Sequence, residues 1–374
     1  MMSVLTFLLA AVMVLYAVFI AVPAIGLSKA VQRRENSEPS VSVIVVAKDE
    51  EESLPSCLES LGSLDYPPEK LEWILVNDRS SDATGILMRA FTDGRPRARV
   101  VSVEDLTEIR TGKTNGLIHG IRAAGGDVFF LTDADCIVPE TWIRSTLSNY
   151  SPDTGIVAGF LLLDRKGKKD AVFARLQTLD WMVITAVGGG WSNLGLPLSA
   201  FGNNLTVRRQ AYELAGGFES AGNHLTEDFA LTRNVKRTGR YGVRIVPDHR
   251  TAVYTRPVRG VSGFLAQRKR WALGGKDHGP LVWFMMITAF LVHVLIPTVI
   301  VLGEWKTGLV AFAAATALDG LLLLRPLRLV RRLDLLKYLP LYELYYFAYS
   351  ILIAPFFFAA KKVRWKSVTY HAEK

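Results

Sequence analysis

The chain has 374 residues, of which 50% are hydrophobic and 21% are charged, and 44 basic against 35 acidic residues give a net charge of +9. The mean hydropathy of +0.22 excludes an ordinary soluble protein, and the aromatic content of 10% excludes a disordered chain. Two cysteines are too few for a disulfide framework or a cysteine-rich zinc site, so we expect free thiols in a cytosolic domain.

The net positive charge is concentrated beside apolar segments of the chain. A basic protein can bind nucleic acid, but basic residues that border apolar segments are typical of contact with anionic lipids at a membrane surface. We therefore expect a membrane, and no nucleic acid, among the partners. The basic residues concerned are Lys29, Arg33, Arg34, Arg325, Arg328, Arg331, Arg332, Lys361, Lys362, Arg364 and Lys366.

The first apolar segment, residues 3–27, carries no charge. It is long enough to cross the hydrocarbon core of a bilayer, which takes about 20 residues. A signal peptide is the alternative, but the segment is too long and no Lys or Arg precedes it. Because basic residues follow the segment, we expect the N-terminus outside and the chain from Lys29 onward in the cytosol. The sequence therefore predicts a transmembrane helix over residues 1–28.

A polar block over residues 40–276 follows, and its short apolar runs alternate with helical patterns. Strands separated by helices of this length form right-handed βαβ units and a parallel sheet. We therefore predict an α/β domain with a mixed, mainly parallel sheet and flanking helices. The strands are expected at 41–47, 72–76, 99–103 and 127–131, and the helices at 52–64, 82–91 and 113–124.

Polar residues follow three of these strands, at 48–50, 77–79 and 132–135. Each group alone is more often a helix cap or a turn. In a parallel sheet, however, ligands bind beyond the carboxyl ends of the strands. Three polar groups at strand ends together therefore favour a ligand site at one edge of the sheet.

Asp133 and Asp135 come after an apolar strand, and two carboxylates at this spacing can both reach a divalent cation. A D-x-D pair alone is a weak signal, which its position after the strand strengthens. Hard oxygen ligands favour Mg²⁺ or Mn²⁺. After the second strand we expect Asp78 to contact a nucleotide, whereas Asp82 is explained as a helix cap.

The turn after the first strand, AKDEEES, contains no glycine. This argues against a Rossmann dinucleotide site, a Walker loop and the sugar-nucleotide pyrophosphorylases, which have a glycine-rich loop at this point. The charge of a bound diphosphate must then be met by metal, by Lys113 and by arginines further along the chain. The six histidines are scattered, so we expect no metal site built from them.

Three later motifs each have a structural and a functional explanation. Glycines in 201–204 and 216–219 allow close approach to a ligand or simply form turns. Thr226-Glu227-Asp228 begins a helical pattern, either as an N-cap with acidic residues near the helix dipole or with Asp228 as a general base. The segment QRKRW at 267–271 is either a membrane anchor or a site where Arg270 pairs with phosphate and Trp271 forms an apolar wall for the acceptor.

Three further apolar segments follow in the C-terminal region, residues 280–361. The first two return the chain to the cytosol at a basic segment. This agrees with the positive-inside rule, by which Lys and Arg are concentrated in cytosolic loops. A complete third crossing would put the basic tail, residues 362–374, outside. Residues 333–360 are therefore either a transmembrane span or an interfacial or re-entrant segment, which gives two or three C-terminal transmembrane helices. The segments are 281–303, 307–324 and 341–360.

The polar block resembles the family-2 inverting glycosyltransferases with a GT-A fold, over about residues 40–275. It is most similar to membrane-embedded members such as ceramide glucosyltransferases and bacterial enzymes that glycosylate lipids, and the polysaccharide synthases share the same motifs. The motifs, in order, are VSVIVVAKDEE, VNDRSSD, GKTNGL, LTDADC, FGNNLTVRR, GGFE, TEDFALT and QRKRW.

The resemblance implies a role for each matching residue. It implies that Asp228 is the catalytic base and that Asp133 and Asp135 bind the metal. Lys48-Asp49 departs from the residues that many relatives have after the first strand. Donor contacts are implied for Glu50, Asp78, Lys113, Asp133, Gln267 and Arg270, and acceptor contacts for Trp271, Asn203 and Glu227.

The resemblance also implies the reaction, a single displacement that inverts the anomeric carbon of a nucleotide-diphosphate sugar, with UDP as the expected nucleotide. The acceptor is expected to be the hydroxyl of a membrane lipid, because Trp271 lies shortly before the second apolar segment. A processive polysaccharide synthase is the alternative, and an inactive membrane scaffold is a remote one. We expect an integral protein of the inner membrane with a cytosolic catalytic domain. The sugar and the lipid stay open.

Overall fold

The computed structural model describes residues 4–29, 38–103, 112–163, 172–198, 201–221, 226–274, 279–359, 362–365 and 368–371. These residues form a sheet with helices on both faces and a set of long apolar helices from both ends of the chain. This is the predicted α/β architecture with transmembrane helices.

One mixed sheet of seven strands forms the centre of the α/β domain. Its order is β3-β2-β1-β4-β7-β5-β8, with β7 antiparallel to both neighbours and the other neighbouring pairs parallel. Strands β6 and β9 form a parallel pair, and β10 and β11 an antiparallel one. The strands are β1 (Val41–Ala47), β2 (Leu71–Asn77), β3 (Ala98–Ser102), β4 (Val128–Asp133), β5 (Thr154–Gly159), β6 (Leu161–Leu162), β7 (Asn204–Arg208), β8 (Gly242–Val246), β9 (Val253–Tyr254), β10 (Lys362–Trp365) and β11 (Val368–His371).

The predicted strands correspond to β1–β4, although β4 extends to Asp133. The predicted helices correspond to α2, α3 and α4. The prediction that Asp82 caps α3 is wrong, because Ala83 occupies the N-cap position without a side-chain capping bond; Asp82 Oδ1 accepts the Thr84 N–H at 2.9 Å from one residue further back. The long helix α6 was not predicted. The helices are α1 (Val4–Ser28), α2 (Leu54–Gly62), α3 (Thr84–Thr92), α4 (Lys113–Ala123), α5 (Trp142–Leu147), α6 (Val172–Asn193), α7 (Arg209–Leu214), α8 (Glu227–Arg237), α9 (Gly260–Gly274), α10 (Pro280–Val301), α11 (Trp305–Leu329) and α12 (Leu339–Ala359).

The central strand β1 is buried because helices cover both faces of the sheet. Val43 and Val45 pack in one core with Leu54 of α2, whereas Ile44 points to the other core with Ile118 of α4. Alternate β-branched residues therefore fill both cores, which explains the continuous apolar sequence of this strand. The predicted free thiols, Cys57 and Cys136, are also free and buried.

Among the described residues, three helices are long and apolar enough to cross a membrane: α1, α10 and α11. Helix α12 coincides with the fourth apolar segment and is not among these three. Polar pairs connect the helices, since Tyr16 donates to Asp319 at 2.6 Å and the imidazole of His293 bonds to Glu343 at 2.9 Å. Such pairs satisfy polar groups that a bilayer core cannot solvate.

Helix α6 connects the sheet to the apolar helices. The side chain of Asn193 bonds to both the N–H and the carbonyl of Ile245 in β8, at 3.1 and 3.2 Å. At Gly190 a Cβ would lie 2.2 Å from the carbonyl oxygen of Pro23 in α1, and at Gly26 a Cβ would lie 2.0 Å from the Gly190 oxygen. The two glycines therefore allow the backbones of α1 and α6 to touch.

We expect Gly190→Ala to destabilise the protein by roughly 1–3 kcal/mol, because the added methyl group forces α1 and α6 apart. The measurement is the thermal unfolding midpoint in detergent, followed by circular dichroism. Gly320→Ala in α11 is the matched control, since its Cβ would lie 3.4 Å from the Leu339 Cδ1 atom, an ordinary contact. Equal midpoints for the two variants would contradict the close contact between α1 and α6.

Candidate active site

The carboxyl ends of β1, β2 and β4 lie side by side at one edge of the sheet. In the parallel register, Ala47 is next to Asn77 on one side, and Val46 is next to Asp133 on the other. The N–H of Asp78 also donates to the carbonyl of Ala47 at 2.9 Å. The topology therefore brings the polar groups that follow these strands into one region.

Asp78 is buried, with 3% of its surface exposed, at the end of β2. Arg79 has a left-handed backbone, with φ of 55°, and its guanidinium contacts Asp78 Oδ1 through Nη2 at 2.6 Å and Nε at 2.9 Å. This charge-assisted pair fixes the carboxylate and places a cation beside it.

An acidic group lies between the ends of β1 and β4. Burial raises the pKa of Asp135, and the nearby carboxylates of Asp133 and Glu50 raise it further, against a hydrogen bond from Thr255 at 3.2 Å. Within the described ranges, no three His, Cys, Asp or Glu side chains are arranged to hold a metal ion. Two carboxylates still fit Mg²⁺ or Mn²⁺ when a substrate supplies further oxygens, because such ions take few protein ligands.

Lys113 links the end of β4 to the start of α8. Its ammonium Nζ lies 2.5 Å from Asp133 Oδ1 and 3.8 Å from Glu227 Oε1. Burial alone would lower the pKa of Lys113, but the two carboxylates outweigh this effect and raise it. Lys113 therefore remains a cation at the centre of the acidic residues.

Asp228 accepts two backbone N–H groups, from Gly202 at 2.7 Å on Oδ2 and from Phe229 at 2.8 Å on Oδ1. Burial raises the pKa of Asp228, although these hydrogen bonds and Lys113 oppose the rise. Burial likewise raises the pKa of Glu227, with Lys113 lowering it and Asp228 adding to the rise. Neighbouring carboxyl groups with raised pKa values are suited to accept a proton near neutral pH.

Thr226 does not support the alternative in which Thr226-Glu227-Asp228 serves only to cap α8. Thr226 occupies the N-cap position of α8 but forms no side-chain capping bond, and its Oγ1 has no hydrogen-bond partner within the described part of the chain. Glu227 and Asp228 lie in the first turn, where the helix dipole favours carboxylates. The helix dipole therefore stabilises the same two carboxylates that lie in the candidate site.

The segment 201–204 contributes differently from each position. Gly202 binds Asp228, and the carbonyl of Asn203 accepts Thr132 Oγ1 at 2.9 Å, beside the end of β4. Asn204 is structural, because its side chain accepts Trp142 Nε1 and donates to two backbone carbonyls. For 216–219, positive φ values at Gly216 and Gly217 support the turn explanation.

The segment QRKRW lies on α9. Trp271 packs against Trp181 of α6 with ring centroids 4.7 Å apart, and Trp181 packs against Phe201 at 5.0 Å. This row of rings runs from Trp271 to Phe201. The next residue is Gly202, and the Gly202 N–H donates to Asp228. Arg270 and Gln267 lie on the same helix, and their predicted contacts with a diphosphate stay predictions.

Sequence reasoning missed three residues of this region. Trp181 lies in the unpredicted helix α6, Thr255 bonds to Asp135 from beyond β9, and Arg268 is buried where Arg270 was expected to act. In the sequence, only the basic character of QRKRW pointed to Arg268. The segment contains three basic residues, and the sequence does not distinguish which of them is buried.

Comparison with known proteins gives a family and several relatives. A family model described as Glycosyl transferase family 21 matches residues 5–374. The chain is 30% identical over 251 residues to Probable glycosyltransferase YdaM of Bacillus subtilis, which covers 65% of this chain and 57% of that protein. It is 29% identical over 252 residues to the beta-monoglucosyldiacylglycerol synthase of a Synechocystis strain, with coverages of 63% and 48%.

A poly-beta-1,6-N-acetyl-D-glucosamine synthase of Staphylococcus epidermidis is 24% identical over 266 residues, which is 70% of this chain and 61% of that protein. The chain thus matches less than two thirds of the length of each of these relatives. Among solved structures, the mannosyltransferase PcManGT from Pyrobaculum calidifontis, in complex with GDP-Man and Mn²⁺, has a TM-score of 0.55 at 20% identity. That likeness covers 92% of this chain and 98% of the other, and it confirms the predicted GT-A fold.

We expect Asn204→Ala to destabilise the protein by roughly 2–4 kcal/mol, because it leaves Trp142 Nε1 and the carbonyls of Phe160 and Thr251 without partners. The measurement is again the thermal midpoint in detergent. Asn203→Ala is the matched control and should unfold close to the wild type. If the two variants were equally stable, the structural role given to Asn204 would be wrong.

Proposed function

The chain belongs to glycosyl transferase family 21, and we propose that it transfers one sugar from a nucleotide-diphosphate sugar to the hydroxyl of a membrane lipid, inverting the anomeric carbon. The nucleotide is UDP and the sugar a hexose. Residues 40–276 are the cytosolic catalytic domain, between the N-terminal helix 1–28 and the C-terminal membrane region 280–361 with its tail 362–374. The protein resides in the inner membrane.

The observation that carries the lipid acceptor is a cavity of about 420 Å³ among the apolar helices. Its volume is typical of sites for small organic ligands. The lining is mostly apolar and comes from α1, α6, α9, α10, α11 and α12. The residues include Phe19, Ile20, Val183, Val187, Trp271, Trp283, Met286, Phe290 and Ile353.

Trp271 lines the cavity, and ring contacts connect it to the catalytic region. From Trp271, the rings of Trp181 and Phe201 lead to Gly202 and so to Asp228. A lipid with its chains in the cavity would therefore present its hydroxyl toward the carboxylates. The apolar cavity and these contacts favour a lipid over a water-soluble acceptor.

The similar proteins support parts of this assignment and of its alternative. The Synechocystis relative is a beta-monoglucosyldiacylglycerol synthase, which supports a lipid acceptor and a hexose. The Pyrobaculum structure contains GDP-Man and Mn²⁺, which supports a nucleotide-sugar donor and a divalent cation. The Staphylococcus relatives are polysaccharide synthases and favour the alternative, a processive enzyme that extends a polymer.

Asp228 acts as the general base. Its burial raises its pKa, so that it can take the proton of the acceptor hydroxyl while the hydroxyl oxygen attacks the anomeric carbon. The bond from that carbon to the diphosphate breaks, and its electron pair leaves with the nucleoside diphosphate. Asp133 and Asp135 would hold Mg²⁺ or Mn²⁺, which neutralises charge on the diphosphate when bound.

The remaining residues bind the two substrates. Lys113 holds Asp133 and keeps positive charge beside the acidic group. Trp271 forms the apolar wall of the acceptor site, and Asn203 and Glu227 lie on its polar side. Glu50, Asp78, Gln267 and Arg270 complete the donor site together with Lys113 and Asp133.

We expect wild-type protein in lipid nanodiscs, given radiolabelled UDP-hexoses and Mg²⁺ or Mn²⁺, to place label in the lipid extract as a single product with one sugar per lipid. UDP is released, rather than pyrophosphate. Asp228→Asn lowers this rate by about a hundredfold or more, while calorimetry shows unchanged binding of the donor. The exposed Asp93→Asn is the control and keeps the wild-type rate.

A ladder of products would favour the processive alternative, and no labelled lipid or polymer with any donor would refute both. Pyrophosphate release would indicate a nucleotidyltransferase. Full activity of Asp228→Asn would show that the base is another residue, without affecting the acceptor assignment.

We expect the rate of transfer to fall with decreasing pH through the raised pKa of the carboxyl pair, above the ordinary carboxyl value of about 4. The base must be deprotonated, so activity is present above this pKa and lost below it. Lys113→Met removes the cation that lowers both pKa values and should move the acid limb of the kcat profile upward by about one pH unit.

The control for the pH profile is Lys70→Met. Lys70 is a surface residue that pairs with Glu38 at 3.6 Å, away from this edge of the sheet, and its loss should leave the acid limb unchanged. An acid limb that stays in place in Lys113→Met would mean that this lysine does not set the pKa of the base.

A further inference from the structure

Two side chains outside the predicted donor site hold the carboxylate of Asp135. Its Oδ2 accepts the hydroxyl of Thr255 at 3.2 Å, and its Oδ1 accepts the thiol of Cys136 at 3.6 Å. Because a thiol is a weak donor, Thr255 provides the stronger of the two bonds. A carboxylate has about four lone-pair positions, so one bond to each oxygen fixes its orientation and leaves positions on both oxygens for a cation.

The orientation of Asp135 needs such support because like charges lie close to it. The carboxylates of Asp133 and Glu50 repel its negative charge. Asp133 is paired with Lys113 at 2.5 Å, whereas Asp135 forms no ion pair within the described part of the chain. Repulsion alone would favour rotation of Asp135 away from Asp133, and the bond from Thr255 opposes that rotation.

The backbone at Thr255 is anchored to two neighbouring segments. The Thr255 N–H donates to the carbonyl of Leu162 in β6 at 2.9 Å. The preceding residue, Tyr254, donates its N–H to the carbonyl of Ile137 at 3.0 Å and accepts the Ile137 N–H at 2.7 Å. Ile137 lies two residues after Asp135. The hydroxyl and the carboxylate are therefore held by the same backbone pairing.

The next residue, Arg256, adds a third anchor. Its guanidinium donates to the carbonyl of Glu52, in the turn that follows β1, at 2.9 Å. The side chain of threonine is β-branched, which restricts its rotation. An anchored backbone and a stiff side chain together keep the Thr255 hydroxyl at a fixed position beside Asp135.

A purely structural role for the hydroxyl is the alternative. Thr255 is half-buried, so its removal leaves no fully buried donor without a partner and should cost little stability. Thr141 shows the structural case. Its hydroxyl donates to the carbonyl of Arg250, also at 3.2 Å, and joins the same two stretches of chain without contacting a carboxylate of the site. The two threonines therefore allow the roles to be separated.

We propose that Thr255 is a positioning residue for the divalent cation: its hydroxyl holds Asp135 in the orientation in which Asp135 and Asp133 can share one Mg²⁺ or Mn²⁺. The inference rests on the proposed function, which assigns the cation to these two carboxylates. Thr255 itself does not contact the cation or the donor. Its hydroxyl determines how tightly the cation binds, and through it the charge on the departing diphosphate is neutralised.

We expect Thr255→Val to weaken Mn²⁺ binding by about tenfold or more, because losing a hydrogen bond to a metal-binding carboxylate commonly lowers affinity by about 10–100-fold. The measurement is a titration of the protein in nanodiscs with Mn²⁺ and UDP, followed by the electron paramagnetic resonance signal of free Mn²⁺. A titration of UDP without protein is subtracted. The Mn²⁺ concentration that half-saturates transfer should rise by the same factor, with the KM for the donor unchanged at saturating Mn²⁺.

Three further variants separate the hydroxyl from the fold. Thr255→Ser keeps the hydroxyl and should bind Mn²⁺ within about threefold of the wild type. Thr255→Ala lacks the hydroxyl and should behave like Thr255→Val, so it decides the question if the valine variant does not fold. Thr141→Val is the matched control and should keep the wild-type affinity. The thermal unfolding midpoint should stay close to that of the wild type in each variant.

Unchanged Mn²⁺ affinity in Thr255→Val and Thr255→Ala would overturn the inference and leave the proposed function intact. An equal loss of affinity in Thr255→Ser or Thr141→Val would also overturn it, because the loss would then not follow the Thr255 hydroxyl. If the wild type bound no Mn²⁺ in the presence of UDP, the cation of the proposed function would be refuted, and the inference with it.

Discussion

The contact between Lys113 and the carboxylates around it is the interaction on which the site depends. Its Nζ lies 2.5 Å from Asp133 at the end of β4 and 3.8 Å from Glu227 at the start of α8. Without this cation, Asp133, Glu227 and Asp228 would be three carboxyl groups held close together in a half-buried region, where their repulsion favours protonation or separation. The positive charge of Lys113 reduces this repulsion, so that the carboxyl groups can stay close together in the ionised form.

Helix α6 has a corresponding role between the sheet and the membrane helices. Asn193 bonds to β8 and Gly190 touches α1. Trp181 and Asp180 contact Trp271 and Arg268 of the QRKRW segment. A shift of this helix would therefore move Trp271 and the cavity together. Helix α6 therefore connects the sheet domain to the apolar helices, an arrangement that is compatible with the proposed transfer to a lipid.

Much of the fold follows from local sequence. The strand VSVIVVA is buried on both faces, and its continuous apolar run, without polar alternation, is the pattern that predicts such burial. The polar groups after β1, β2 and β4 meet at one edge because parallel strands share a direction, which the alternation of strands and helices already implied. In contrast, α6 was missed because its sequence mixes glycine, polar and aromatic residues, and its burial against α1 and β8 compensates for a weak helical pattern.

Local sequence patterns were sufficient to predict the family, the α/β architecture, the apolar helices and the acidic motifs, because each is encoded in a short run of residues with a fixed period or spacing. Three-dimensional packing was needed to establish which of the cations in QRKRW is buried, that Thr226 leaves the helix uncapped by its side chain, and that Asn204 is structural while Gly202 binds Asp228. These outcomes depend on the rotation of α9 against α6 and α12 and on contacts between residues far apart in the chain. Such contacts are set by how the helices pack, and no local pattern contains that information.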